Sequence, residues 1–214
     1  MDADLRPEGL HEGQTWSGGS LDDADAEGAR FVDCDLSGLV VSGGSFERTV
    51  WRGGTVRAVR WIGAGMARSS WTDVRVEGSA YSGCELYGAQ LRRVRFEGAV
   101  LDTVNLRGAV LSEVVFEDCT LRDVDLGGAR LTDVRLPGSR VQGLDLSKAT
   151  LQRVDLRGAE VSIARGFDRL GGAVVDHGQL IDLAPALAAH LGLQVRAVGD
   201  DGPSRGSGRP SAGY

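Results

Sequence analysis

The sequence predicts an all-β solenoid, and three observations predict it. Large apolar residues recur at every fifth position in one phase from Trp16 to Val161, 30 positions without an insertion, with Ala26 the one small member. From Ala29 to Ala164, small or apolar uncharged residues such as Cys34, Val59, Ala89 and Val124 hold a second register two positions before the first. The other three positions carry the charges and most of the 32 glycines. A strand alternates with period 2 and a helix returns near 3.6, so a strict period of five fits neither as a continuous element. It fits a chain that turns a corner after each short unit and always points the same two side chains inward.

The elements follow in chain order. Residues 1–15 lie before the register and are expected to be ordered in part at best. Residues 16–165 form the solenoid. One unit cannot bury its own apolar face, so units must stack. Stacked coils hydrogen-bond through the backbone at about 4.8 Å. Glycine dominates the position two after the large residue, as at Gly53, Gly63 and Gly108, where a tight or positive-φ corner selects it. Past Ala164 the pattern changes. Leu180, Leu183, Ala184, Leu187, Ala188 and Leu191 step by three and four, which predicts a helix at about 179–191. Asp176 caps its start or lies in the lead-in turn, Gly192 suits its stop, and Pro185 removes a hydrogen bond inside it. LQVRAV (193–198) reads as a short strand. Residues 166–198 together form a capping or dimerisation segment, and 199–214 have the composition of a disordered tail.

The stretches GARLTDV and GAVLDTVNLRGAVL follow the pattern A(D/N)Lxx. In these units the chain from about 16 to 164 resembles the pentapeptide repeat family. The resemblance implies a right-handed quadrilateral β-helix with one pentapeptide per side, about 20 residues per coil. The units then make about seven and a half coils and a rod of about 36 Å. Residues twenty apart share a face. Trp51 with Trp71, Trp61 with Tyr81, and Phe96 with Phe116 are therefore read as core ladders, with a stacking platform for nucleic acid as the alternative. The segment AHLGLQV is similar to the C-terminal segment of mycobacterial fluoroquinolone-resistance pentapeptide proteins. That likeness implies a homodimer made through Leu180, Leu183, Leu187 and Leu191. A monomeric cap over the open end of the coil is the other reading.

Composition narrows the function. No apolar run reaches the length of a membrane span, and MDADLRPEGL lacks the basic and apolar regions of a secretory signal. A cytoplasmic setting without membrane contact is expected. Cys34, Cys84 and Cys119 fall in the small inward register, 50 and 35 residues apart. They read as buried thiols rather than a metal site or a disulfide. His11, His177 and His190 read as surface or cap residues. No GxSxG elbow is present, Glu117 and Asp118 sit adjacent in a solvated row, and the glycine-rich corners lack the lysine of a phosphate loop. These features predict a non-enzymatic protein with no cofactor and no metal.

Charge becomes the remaining argument. The best-known members of the resembled family bind type II topoisomerases and imitate duplex DNA, which implies DNA gyrase or topoisomerase IV as partner and protection from an inhibitor, an antibiotic-resistance role. Residues 16–47 carry seven acids and one base, residues 48–95 nine bases and three acids, and residues 96–165 eleven acids and nine bases. The candidate partner surface is Asp22, Asp23, Asp25, Glu27, Asp33 and Asp35. A DNA mimic should present acidic rows along most of its length, and here a belt of arginines interrupts the run. That belt, chiefly Arg48, Arg52, Arg68, Arg75, Arg92 and Arg95, is the candidate surface for direct nucleic-acid binding. A protein-interaction scaffold with a different partner is the third reading.

Overall fold

Two inward side chains per five residues leave each unit one way to sit. In the computed structural model, which describes residues 5–197, the chain winds in four-sided coils whose strands pair residues 20 positions apart, shifting to 19 at Leu144–Ile163 and Val154–Ala173. The first face begins with β1 (Leu10–Glu12) and runs as an eight-stranded parallel sheet to Thr150–Gln152. The second begins with β2 (Thr15–Ser17) and holds six strands, the last Val115–Glu117. The third begins with β3 (Ser20–Asp22) and holds eight strands, the last Glu160–Arg165. The fourth is built of turns joined by single parallel bridges, Asp25–Ser45–Gly65–Glu85–Asn105–Asp125–Asp145.

Both inward registers line one continuous core. The aromatic pairs are core ladders. Ring centroids lie 5.0 Å apart for Trp51 and Trp71, 6.2 Å for Trp61 and Tyr81, and 4.8 Å for Phe96 and Phe116. All six rings are buried, so none offers a platform to a base. The three thiols are buried and unbridged. Burial and neighbouring carboxylates push Cys119 up to about 11, which keeps it an unreactive thiol. Where small residues occupy the second register, they let coils meet closely. A Cβ at Gly54 would overlap the Cys34 carbonyl oxygen.

The rod starts one unit earlier than its sequence pattern indicates. β1 places His11 at an inward position, stacked on Phe31 at 5.1 Å. It is a buried core residue, not a surface one. Histidine is not read as apolar, so the register loses its first member to composition rather than to geometry. At the other end the chain continues past Arg165 through a short 3-10 turn, Phe167–Arg169, to Ala173–Val174, which pairs with Val154–Asp155 on the second face. Helix α1 then spans His177–His190. Asp176 caps it with a reciprocal pair: its Oδ1 accepts the Gln179 N–H at 2.9 Å, and Gln179 Oε1 accepts the Asp176 N–H at 2.9 Å. The helix therefore starts two residues before the expected 179, ends one before the expected 191, and runs through Pro185. Residues 193–197 form no strand. They have passed the last coil and have no neighbouring strand to pair with. The expected tail, 199–214, lies outside the described residues.

The small register also serves the indoles. Trp51 Nε1 donates to Thr49 Oγ1 at 3.0 Å, and Trp71 Nε1 donates to Ser69 Oγ at 2.9 Å. Trp61 has Val59 in the equivalent position, and its Nε1 has no partner. Val59→Thr is therefore expected to stabilise the protein by about 1 kcal/mol, read as a higher thermal midpoint. A polar substitution in a core normally lowers it. A lowered midpoint would show that the hydroxyl does not reach the indole.

Candidate binding surface

The outward positions are sorted by the turn chemistry of each face. On the fourth face the residue before the large inward one is repeatedly Asp or Asn, and its side chain accepts the backbone N–H two residues on. Asp25 accepts from Glu27 at 3.1 Å, Asn105 from Arg107 at 3.1 Å, Asp125 from Gly127 at 2.8 Å and Asp145 from Ser147 at 2.8 Å. These are Asx turns, which hold the backbone in a bend where the other faces hold strands. On the second face, strands give way to bridged turns after Val115–Glu117. There Asp155 makes the same bond to Arg157 at 3.1 Å. The D/N of the repeat pattern thus marks which sides of the square turn tightly.

One consequence is an acidic row. The outward positions of the fourth face from 25 to 147 carry Asp25, Glu27, Glu47, Glu85, Asp125 and Asp145 against a single base, Arg107. Asp23 and Asp123 flank it on the corner shared with the third face. The first face is the opposite. Its outward positions carry Arg30, Arg52, Arg92 and Arg130 against one acid, Glu12. Counting charge in consecutive blocks hides this sorting, because each face draws its residues from positions 20 apart.

The six acidic candidates do not form one patch. Asp23, Asp25 and Glu27 belong to the fourth face and its corner. Asp22 points from the third face. Asp33 and Asp35 lie on the corner between the first and second faces and on the second face, diagonally across the rod. Several are already engaged: Glu27 pairs with Arg48 at 2.5 Å, and Asp35 Oδ1 accepts the Thr55 N–H at 2.9 Å. The arginine belt divides as well. Arg48 and Arg68 share a corner column, as expected, and Arg68 lies over the Tyr87 ring at 5.6 Å. Arg75 and Arg95 are cross-strand neighbours on the second face. Arg95 reaches Glu117 at 2.5 Å. Arg52 and Arg92 belong to the first-face row and make no ion pair among the described residues.

Elsewhere opposite charges ladder from coil to coil. Arg57 meets Glu77 at 2.8 Å, Arg93 meets Asp73 at 2.6 Å, Arg122 meets Asp102 at 3.2 Å and Arg153 meets Asp133 at 2.6 Å, each pair 20 residues apart. Exposed pairs of this kind contribute little stability singly. Their larger effect is to cancel the field of the second and third faces and of the corner after the first; the fourth face keeps an acidic excess although Glu27, Asp125 and Asp145 are paired with Arg48, Arg107 and Arg165, and the first face stays basic.

The helix residues expected at a dimer interface also divide. Leu183 is 5% exposed and Leu187 packs against the end of the core. Both belong to the cap. Leu180 and Leu191 face outward with Ile181, Leu193 and Val195. Gln179 Nε2 donates to the carbonyls of Leu156 and Ala159 at 2.5 and 2.7 Å, tying the helix to the last coil. His177 and His190 are the first and last helix residues, with His190 5.9 Å from the Phe167 ring. Among the described residues no group of three His, Cys, Asp or Glu side chains could hold a metal ion. No helix is long and apolar enough to cross a membrane.

Residues 89–164 match the family described as pentapeptide repeat region. No curated protein matches the chain. Among solved structures it is similar to a trypsin-treated variant of QnrB1, a plasmid-mediated fluoroquinolone resistance protein, at 19% identity over 88% of this chain and 98% of that one, with a TM-score of 0.42. It is similar to HetL, a pentapeptide repeat protein involved in heterocyst differentiation regulation in Nostoc sp. strain PCC 7120, at 20% identity over 80% and 89%, TM-score 0.39. A pentapeptide repeat protein from the Arabidopsis thaliana thylakoid lumen is similar at 24% identity over 50% and 76%, TM-score 0.25.

The ion-pair ladder has a pH signature. Hydrogen bonds from Arg93, Arg153 and Arg140 lower the pKa values of Asp73, Asp133 and Glu160. A carboxylate with a depressed folded pKa stabilises above its unfolded value and loses that stabilisation as pH falls through the folded one. Thermal stability is expected to be level at neutral pH and to fall below about pH 4. Arg93→Gln with Arg153→Gln should flatten this acid limb. An acid limb unchanged in the double variant would place its origin elsewhere.

Proposed function

We propose that the protein is a non-enzymatic binding rod whose fourth face engages a type II topoisomerase, DNA gyrase or topoisomerase IV, and protects it from an inhibitor. The observation that carries this reading is the acidic row, in two runs from 23 to 47 and from 85 to 145. A basic groove that holds duplex DNA is built for negative charge in regular succession. Carboxylates on five of the seven coils from 25 to 147, coils stacked about 4.8 Å apart, supply negative charge in one column on a rigid support. The breaks at Gly65 with Ala67 and at Asn105 with Arg107, and Arg48 and Arg68 on the adjoining corner, set this rod apart from a uniform DNA mimic.

The test is supercoiling by purified gyrase, with and without a quinolone inhibitor. The protein is expected to change one of them, and Glu47→Lys with Glu85→Lys to weaken the effect about tenfold or more without lowering the thermal midpoint, since both side chains point outward. The interaction should also weaken as salt rises. The first-face row favours a second reading, duplex DNA binding. Under it Arg52→Ala with Arg92→Ala abolishes a DNA shift while the acidic change has no effect. Absence of both responses would leave a scaffold for another partner.

We also propose that the outward residues of the C-terminal segment pair two copies. Leu191 is 70% exposed and Ile181 69% exposed, an apolar surface that a lone rod leaves in water. Leu180→Asp with Leu191→Asp is expected to give a monomer by light scattering with the thermal midpoint retained. A parent already monomeric at high micromolar concentration would leave the helix as a cap alone. Leu183→Asp tests something different, because its side chain seals the core.

A further inference from the structure

We propose that the fourth face of one copy docks on the first face of a second copy lying parallel to it, and that four copies close into a ring in this way. The inference does not rest on the topoisomerase reading; a copy in the ring has its fourth face covered.

The two faces match coil by coil. Where the fourth face carries Asp25 and Glu27, the first face of the same coil carries Arg30. Glu47 is followed by Arg52, Glu85 by Arg92 and Asp125 by Arg130 in the same way. Where the fourth face has no acid, the first face has no arginine. Gly65 and Ala67 precede Ser70 and Thr72, and Asn105 and Arg107 precede Val110 and Ser112. Asp145, before Thr150 and Gln152, is the one exception between 25 and 152. Turn chemistry accounts for the Asp residues of the fourth face. It does not account for Glu47, nor for arginines confined to the same coils.

These charges look out from adjoining sides of the coil and do not meet within one chain. Arg30, Arg52, Arg92 and Arg130 make no ion pair among the described residues, and neither do Glu47 and Glu85. Glu85 accepts only the Asn105 amide, at 2.6 Å.

Geometry fixes how a second copy meets them. Adjoining faces of a four-sided coil stand a quarter turn apart. Setting the fourth face of one rod against the first face of the next rotates each copy by a quarter turn about an axis along the rods. A head-to-tail contact of this kind closes after four copies. Closure leaves no shift along the axis, so each coil meets its own equivalent. On each face the step nearest the shared corner then meets its counterpart. Glu27 faces Arg30 and Glu85 faces Arg92 directly. Glu47 with Arg52 and Asp125 with Arg130 are diagonal neighbours, a gap that a long guanidinium side chain spans. A slip of one coil keeps at most two of the four matches, so charge selects the register as well as the partner. The shared corner carries Gly28, Gly88, Gly108 and Gly128, which lets four corners converge. Its two arginines are drawn onto the fourth face, Arg48 to Glu27 and Arg68 over the Tyr87 ring. Lys148 lies beyond the matched coils.

The experiment is light scattering on the full-length protein at high micromolar concentration and low salt. A Leu180→Asp with Leu191→Asp background keeps the C-terminal contact out of the count. Four copies are expected, and they should dissociate as salt rises. Glu47→Lys with Glu85→Lys, and separately Arg52→Glu with Arg92→Glu, should each raise the dissociation constant about tenfold or more. Mixed in equal amounts, the two variants should assemble as the parent does, because each reversed face meets a reversed face in an alternating ring. Two misfolded proteins would not recover in this way. The ring is read by mass without gyrase and the topoisomerase reading by supercoiling, so the two can fail separately. A parent that stays monomeric overturns the proposal. So does an assembly that does not close at four, an assembly undiminished in either variant, or a mixture that does not recover.

Discussion

Backbone hydrogen bonds between coils paired in a 20-residue register are the constraint on which everything else depends. Their donors and acceptors repeat with one register from coil to coil, as Val50 N–H to Ala29 O, Ser70 N–H to Thr49 O and Gln90 N–H to Ser69 O show at 2.9, 2.8 and 2.8 Å. A slip of one residue would turn every inward side chain outward, so the two apolar registers and the backbone ladder enforce each other. The outer surface inherits that order. Any residue type favoured at one step of the repeat is stacked into a column about 4.8 Å per coil, and local turn chemistry becomes a long-range pattern of charge.

That inheritance explains what was legible in the sequence and what was not. The period of five, the two inward sets, the corner position and the aromatic pairs were legible because each depends on burial or backbone geometry at a fixed offset. Asp176 was legible as a cap for the same reason. The division of faces was not. Asp25, Asn105, Asp125 and Asp145 read as ordinary solvated residues until their carbonyl or carboxylate oxygens are seen holding their own turns. The D/N step of the repeat is the signal that could have revealed them. His11 was missed because a histidine does not look like a core residue, although it sits five before Trp16. The 193–198 segment failed in the other direction: its composition suits a strand, but its described part, 193–197, lies past the last coil and pairs with no strand among the described residues.

The candidate site shows the same limit more sharply. The group at 22–35 is contiguous in sequence and divided in space, whereas Glu47, Glu85 and Asp125 are scattered in sequence and aligned in space. Linear charge blocks placed a basic belt across the middle of the rod. In the folded chain much of that belt is spent on neighbouring coils, Arg57 on Glu77 and Arg93 on Asp73. What survives is lateral: basic on the first face and acidic on the adjoining fourth. For a square solenoid the meaningful unit of surface analysis is the column of residues 20 apart, and a charge count that ignores it averages opposite faces together.

The asymmetry of the ends follows from the same ladder. A closed barrel pairs its last strand with its first, but a stacked coil always leaves one set of donors and acceptors at each terminus. Here the C-terminal set is consumed by a helix whose capping glutamine does double duty, satisfying its own N-terminus and two carbonyls of the last coil. Among the described residues the N-terminal set is met by residues 5–9, laid along the one face that contains no strands, where Glu8 N–H donates to the Glu27 carbonyl. The two ends of one ladder are thus met by different structures, a helix at one and a short segment at the other.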